Sequence, residues 1–287
     1  MKAPAFAYVA PKTLDEALRA LHEVENARVL AGGQSLMAML NMRFAFPDCL
    51  VDINGIGELS YIRESGDAIE FGAMTRQRDV EFSELVARRL PILREAILHV
   101  GHRQTRNRGT IGGSLCHLDP SAETPTIAMA MDATLVAASV RGRREIRMAD
   151  FPAGYMTPAL EADEMLLAVV LKPWSARHGW AFEEYARRHG DFAIASAGVL
   201  LEFDAQDIVS RASVTLGGIS SKPVRVLEAE QALLGTRADK ADVERAATLC
   251  GQVDASTDSY VPGWYRRHLA KVLCARAATR AVARAER

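Results

Sequence analysis

An α+β fold is predicted for this 287-residue chain, and three observations predict it. The last third reads as three strands followed by helices, the order expected of an α+β unit rather than of βαβ repeats. The first part mixes helix-period and strand-length apolar segments, broken by two Gly-Gly loops. The composition, 49% hydrophobic and 25% charged, is that of an ordinary globular protein with room for one large domain or two smaller ones.

The elements follow in order. Thr13 starts a helix as N-cap with Glu16 at the capping-box position, and Leu14, Ala17, Leu18 and Leu21 share one face. A strand over 27–31 leads into the first glycine loop and a Met/Leu-rich segment, 36–42, whose methionines read as core packing. A strand is expected over 49–53, then strands near 61–63 and 68–71 and helices near 80–87 and 91–100. A basic polar segment, 102–108, precedes the second glycine loop, after which a helix is expected over 124–131 and strands over 134–138 and 166–171. A composition shift at 174–180 marks a boundary. Beyond it come strands over 180–187, 193–203 and 210–216 and helices over 224–234, 240–249 and 263–284. The Arg- and Ala-rich tail from Arg266 to Arg287 reads most simply as a solvated helix, with docking to a partner as the alternative.

The two loops, Ala31-Gly32-Gly33-Gln34-Ser35 and Thr110-Ile111-Gly112-Gly113-Ser114, are the most informative feature. Adjacent glycines permit positive φ and close backbone approach, successive amides can converge on an anion, and each serine adds a donor. Two such loops suggest a diphosphate held from two sides; one alone is most simply a tight turn. Neither a GxxxxGK[ST] loop nor a GxGxxG fingerprint is present.

Net charge is −1, which gives no argument for a nucleic-acid surface. Cys49, Cys116, Cys250 and Cys274 are scattered without metal-ligand spacing, so no zinc or iron–sulfur site is expected within this chain. The longest apolar stretch, 127–140, is interrupted by Asp132 and too short to span a bilayer. A cytoplasmic protein without a transmembrane segment is expected. The histidines form no Ser/His/Asp or Cys/His pattern, so no catalytic residue is assigned.

The string from Val100 through Gly109 and the second loop, continuing into Asp119-Pro120-Ser121-Ala122-Glu123, resembles the FAD-binding medium subunit of molybdenum hydroxylases, the xanthine dehydrogenase and aerobic carbon monoxide dehydrogenase relatives. The first loop with Leu36, Leu50-Val51-Asp52-Ile53-Asn54, Gly72-Ala73-Met74-Thr75, Gly190-Asp191-Phe192-Ala193 and Tyr265-Arg266-Arg267-His268-Leu269 are similar to that family as well. Ala38, Ser114 and the stretch Val261-Pro262-Gly263-Trp264 depart from its usual pattern and loosen the subfamily assignment.

The resemblance implies a p-cresol-methylhydroxylase-type FAD domain over 1–176, with subdomains of about 1–56 and 57–176, and a C-terminal α+β domain over 177–287. It implies FAD contacts from Ala31, Gly32, Gly33, Gln34 and Ser35 and from Thr110, Ile111, Gly112, Gly113 and Ser114. It further implies Asp119 near the diphosphate and ribose, Leu166 against the adenine, Phe192 beside the isoalloxazine, and Lys172 near the cofactor. The alternative readings are Asp119 as the N-cap of a helix starting at Pro120, Leu166 as strand core and Lys172 as a strand end. The partners implied are a large subunit with the molybdenum cofactor and a small one with two [2Fe–2S] clusters, assembled as a dimer of heterotrimers. Electrons would run from those clusters through FAD to an external acceptor. The substrate is open, with an aromatic N-heterocycle preferred from the opening residues Met1 to Tyr8. The alternatives are a self-contained FAD oxidase or dehydrogenase and a non-enzymatic nucleotide-binding module.

Overall fold

A computed structural model describes residues 2–285; Met1 and the last two residues of the Arg/Ala-rich tail lie outside them. The chain begins with β1 (Ala7–Val9), α1 (Leu14–Glu23), β2 (Ala27–Leu30), α2 (Leu36–Asn41) and β3 (Cys49–Asp52), whose strands form a parallel sheet in the order β1-β3-β2. Helix α1 starts as its sequence demands. The Thr13 hydroxyl accepts from Glu16 N at 3.3 Å, although Glu16 reaches back to the amide of Lys12, at 2.8 Å, instead of that of Thr13. Its expected apolar face, Leu14, Ala17, Leu18 and Leu21, is buried.

The second unit runs β4 (Ile62–Ser65), β5 (Ala68–Gly72), α3 (Gln77–Phe82), α4 (Glu84–Arg89), α5 (Pro91–Ile97), α6 (Arg103–Arg108), α7 (Ile111–His117), α8 (Glu123–Ala130), β6 (Thr134–Ser139), β7 (Gly142–Arg147), β8 (Pro152–Gly154), β9 (Thr157–Pro158) and β10 (Met165–Leu171). Strands β4-β5-β10-β6-β7 form an antiparallel sheet. The helix expected near 80–87 is split at Ser83, whose hydroxyl accepts from Val86 N and starts α4 afresh. The basic segment 102–108 is itself helical, and Ile111 of the second glycine loop opens α7. Thr110 keeps only an isolated antiparallel bridge to Arg76.

The remainder is β11 (His178–Tyr185), β12 (Ala195–Phe203), β13 (Val209–Gly217), β14 (Val224–Arg225), α9 (Leu227–Leu233), α10 (Lys240–Cys250) and α11 (Gly263–Arg284). Its four strands form an antiparallel sheet in sequence order, against which the helices pack. The segment expected as one helix over 224–234 is divided, because Val224 and Arg225 pair with β13 before α9 starts.

Helix α11 corrects the solvated-helix expectation for the tail. Leu269, Ala270, Leu273, Cys274, Ala277, Ala278 and Ala281 are buried, and a Cβ on Gly179 of β11 would stand 1.7 Å from the Ala281 carbonyl oxygen. Alanines let the helix lie close to the sheet. Two of the arginines are structural: Arg280 reaches Glu95 at 2.5 Å and Arg284 reaches it at 3.0 Å, while Glu95 also accepts the Phe182 amide at 2.9 Å. Burial alone would raise the Glu95 carboxyl, but Arg284 and the Phe182 amide hold it below its ordinary value. Glu95 thus ties α5 to β11 and α11. Glu95→Ala leaves the Phe182 amide without its acceptor and takes one acceptor from each guanidinium, Arg280 keeping Glu183 and Arg284 keeping Trp180 O, and should cost about 1–3 kcal/mol. A thermal melt of the purified variant checks this, and an unchanged midpoint would remove Glu95 from the interface.

Candidate functional site

The first glycine loop leaves the C-terminal end of β2 and turns into α2. Gly33 has φ +73°, a left-handed conformation that favours glycine, while Gly32 is needed for space: a Cβ there would lie 2.1 Å from the Arg108 carbonyl oxygen. Gln34 folds its amide back onto Gly32 O at 3.2 Å, and Ser35 makes no side-chain cap bond to α2. Among the described residues, the backbone amides of Gly32, Gly33, Gln34 and Ser35 donate to no acceptor. That is a run of open donors on a half-buried turn.

The second loop differs, and the free-amide expectation is corrected there. Its glycines form the first turn of α7, with Thr110 as N-cap accepting from Gly113 N at 3.0 Å. Ile111 N donates to Thr75 O, Gly112 N to Ala73 O and Ser114 N to Thr110 O. Every one of these amides is satisfied internally. Gly112 is required because a Cβ would meet Ala73 at 2.6 Å. A Cβ on Gly113 would likewise crowd its own cap, 2.7 Å from the Thr110 hydroxyl, and would come 3.7 Å from the Ala31 side chain, so the two loops face one another.

A polar network that the sequence reading gave no role holds them together. Asn54 donates to Ala31 O at 2.8 Å and to Asp52 at 2.6 Å, and Asp52 also takes the Tyr8 hydroxyl at 2.6 Å. The Asn54 side-chain oxygen accepts from Arg76 at 2.7 Å, and the same guanidinium donates to Arg108 O at 2.5 Å. The signal was present: Asn54 closes one of the strings that carry the resemblance, and Arg76 directly follows another.

The other expected residues fall into two groups. Asp119 stands just after α7, accepting Ser121 N at 2.8 Å in a local turn; α8 begins only at Glu123, so Asp119 is not its N-cap. Phe192 lies in the β11–β12 connection with its side chain open, 69% exposed. That connection rests on the segment before α6, since a Cβ on Gly190 would meet the His102 ring at 2.4 Å. Arg266 secures its base by donating to Ile194 O at 2.7 Å and to Gly218 O, and it pairs with Asp258 at 2.6 Å.

Leu166 and Lys172 are not brought to the loops in the same way. Leu166 is 2% exposed in the core around β10 and offers a ligand almost no surface. Ala73, against which Gly112 packs, donates its amide to Leu167 O, so Lys172 lies five residues farther along, about 16 Å at the usual strand rise. There it pairs with exposed Asp67 at the β4–β5 turn, 3.1 Å away. Its simple reading as a strand end fits this position.

Behind Asp119, Glu123 and Glu184 bring two carboxyl groups together across α8 and β11. Burial raises both, Glu184 further because of Glu123 beside it. A side-chain hydrogen bond joins the two carboxyls, with protonated Glu184 donating to Glu123. His99 stands 3.9 Å from Glu184, but burial lowers its pKa as it raises that of Glu184, so the contact joins neutral groups and is no ion pair near neutral pH. Among the described residues no cluster of three or more metal-ligating side chains exists, and no helix is long and apolar enough to cross a membrane.

Two family models cover the chain: the FAD binding domain in molybdopterin dehydrogenase matches residues 4–174, and the CO dehydrogenase flavoprotein C-terminal domain matches residues 180–281. The 6-hydroxypseudooxynicotine dehydrogenase complex subunit alpha of Paenarthrobacter nicotinovorans is 37% identical, with 99% of this chain and 97% of that protein covered. Caffeine dehydrogenase subunit beta of a Pseudomonas species is also 37% identical, again over 99% and 97%. The structure of carbon monoxide dehydrogenase from Hydrogenophaga pseudoflava lacking the Mo-pyranopterin moiety contains a chain that superimposes with a TM-score of 0.96 at 36% identity, covering 99% of this chain and 100% of that one.

Proposed function

The chain belongs to the FAD-binding medium subunits of the molybdenum hydroxylase family, and from that premise we propose that it relays electrons from the [2Fe–2S] clusters of a small partner subunit through FAD to an external acceptor. It is the FAD subunit of an oxidoreductase complex with large and small subunits; the substrate is oxidised at a molybdenum centre in the large one. The observation that carries the reading is the row of undonated amides from Gly32 to Ser35, opposite Gly113. Such a turn, together with a nearby guanidinium, suits a diphosphate.

Each role belongs to a residue of this chain. The amides of the first loop and the Ser35 hydroxyl bind the diphosphate, with Ala31 as the wall on the second-loop side. Thr110, Ile111, Gly112, Gly113 and Ser114 contribute a closely packed floor, because the amides of the last four are already spent on holding α7 in place and Thr110 caps it. Asp119 orients the ribose, and the open ring of Phe192 covers the isoalloxazine and excludes water from it. Bound FAD supplies two-electron acceptance and stepwise release, which no side chain provides. Leu166 against the adenine and Lys172 near the cofactor remain the roles that the resemblance implies. The domain limits proposed are 1–176 and 177–287, and the assembly proposed is a cytoplasmic dimer of heterotrimers.

An aromatic N-heterocycle is the proposed substrate class. Two relatives named for nicotine-derived and caffeine substrates match over nearly the whole chain, although the carbon monoxide enzyme matches as fully. Absorption spectra and metal analysis of the chain purified with its partner subunits test the reading. Flavin, iron and molybdenum are expected together, and the isolated flavin-loaded chain should leave heterocycles unoxidised. Turnover by the isolated chain would make it a self-contained flavoenzyme, and a colourless chain without FAD affinity would make it an assembly module.

A further inference from the structure

We propose that Arg76 is a positioning residue for the cofactor diphosphate: its guanidinium braces the first glycine loop against the second and supplies positive charge beside the open amides. The proposal rests on the FAD reading above. Arg76 follows β5 and precedes α3, where its backbone bridges Thr110 and the Gln77 amide donates to Gly109 O. Its side chain therefore leaves from the segment that supports the second loop. One arm reaches Arg108 O, the carbonyl against which Gly32 is packed; the other reaches Asn54, which holds Ala31 O. A single planar group thus touches both ends of the first loop's support, a geometry that two fixed donors can impose and a single ammonium cannot.

The charge argument is independent of the bracing. Arg76 is half-buried, and among the described residues no carboxylate lies within ion-pair distance of it. Its acceptors are a neutral amide and a neutral carbonyl, and Arg108 is a second cation close by. Burial, with Arg108 second, shifts Arg76 below its ordinary pKa. Asp79 and Asp52 offset part of that cost from beyond ion-pair distance, but the groups bonded directly to the guanidinium are neutral, so an anion is favoured beside it, and the open amides of Gly32 to Ser35 mark where that anion binds.

Titrating FAD into the full-length apo chain, followed by flavin fluorescence at low and high salt, tests this with wild type, Arg76→Met and Arg76→Lys. Wild type should bind FAD with an affinity that falls as salt rises. Arg76→Met should bind about 10- to 100-fold more weakly, with a flatter salt dependence. Arg76→Lys should restore the salt dependence but only part of the affinity, because the two-armed brace is lost. Should Arg76→Met fail to fold, the lysine variant decides: wild-type affinity in it overturns the proposal. Loss of affinity in Arg76→Met with the salt dependence intact overturns it too, since that marks a merely structural arginine. A wild-type chain that binds no FAD overturns the underlying reading as well, and so separates the two failures.

Discussion

Gly32→Ala is expected to strip the protein of flavin while leaving most of its fold. The backbone at Gly32 does not have positive φ, so alanine meets no local strain there. The obstacle is contact: the new methyl would lie 2.1 Å from Arg108 O and 2.9 Å from the Gly109 Cα. Both are main-chain atoms, and Arg108 O is already fixed by Arg76. The loop must therefore move away from the α6–α7 junction by an ångström or so, carrying its amides with it. Overpacking of this kind costs about 1–3 kcal/mol of stability, and a displacement of that size costs on the order of 100-fold in the interaction it positions. The flavin-to-protein absorbance ratio of the purified complex, with a thermal melt alongside, reads both effects. Gly57→Ala is the matched control, because nothing stands within 4 Å of its added Cβ and its φ is not positive. Full flavin content in Gly32→Ala would show that the tight seam between the loops is irrelevant to cofactor binding.

This prediction depends on contacts that the sequence could not show. The glycine pairs were legible, as were the capped helix at Thr13, the sheet-before-helix order of the last third and the strings that carry the family resemblance. What separates the two pairs was not legible. At the first, the chain emerges from a strand end with its amides open; at the second, Thr110 caps a helix and Ala73 and Thr75 consume the amides. Local sequence is nearly the same in both, and the partner strand, β5 with its extension to Arg76, makes the difference. The Arg/Ala tail misleads for a similar reason. Its polar periodicity is real, but Glu95, 185 positions before Arg280, turns arginines expected in solvent into interface residues. Leu166 and Lys172 carried resemblance-based roles with no local motif behind them; Leu166 lies buried in the core and Lys172 pairs with Asp67 at the strand end.

A more alkaline medium should weaken this protein through Glu123 and Glu184, and Glu184→Gln should reverse the effect. Glu123 opens α8 and Glu184 lies on β11, so the pair joins the FAD-binding part of the chain to its C-terminal sheet. Burial pushes Glu123 up to about 7, with Asp119 adding to it; burial and the Glu123 carboxylate push Glu184 up to about 9. Arg106 pulls the other way on Glu123, but it is paired at 2.9 Å with Glu81. His99, lowered by its own burial, is neutral above its titration and adds no compensating charge. The unfolded chain releases both protons near the ordinary value of 4.5, whereas the folded one keeps them longer. Folding is therefore aided fully below that value, and the contribution is lost as pH rises through the folded pKa values, toward about 9. The slope is about 1.4 kcal/mol per pH unit for each proton held, and the protons belong to the pair rather than to either residue. Glu184→Gln keeps the shape, removes one ionisation and gives Glu123 a permanent donor. Relative to wild type, its melting temperature should be equal or lower near pH 5.5 and higher near pH 8.5, so the two curves cross. Parallel curves would mean that the two carboxyls are not protonated together in the folded protein, and that this seam between the sheets is held by other contacts.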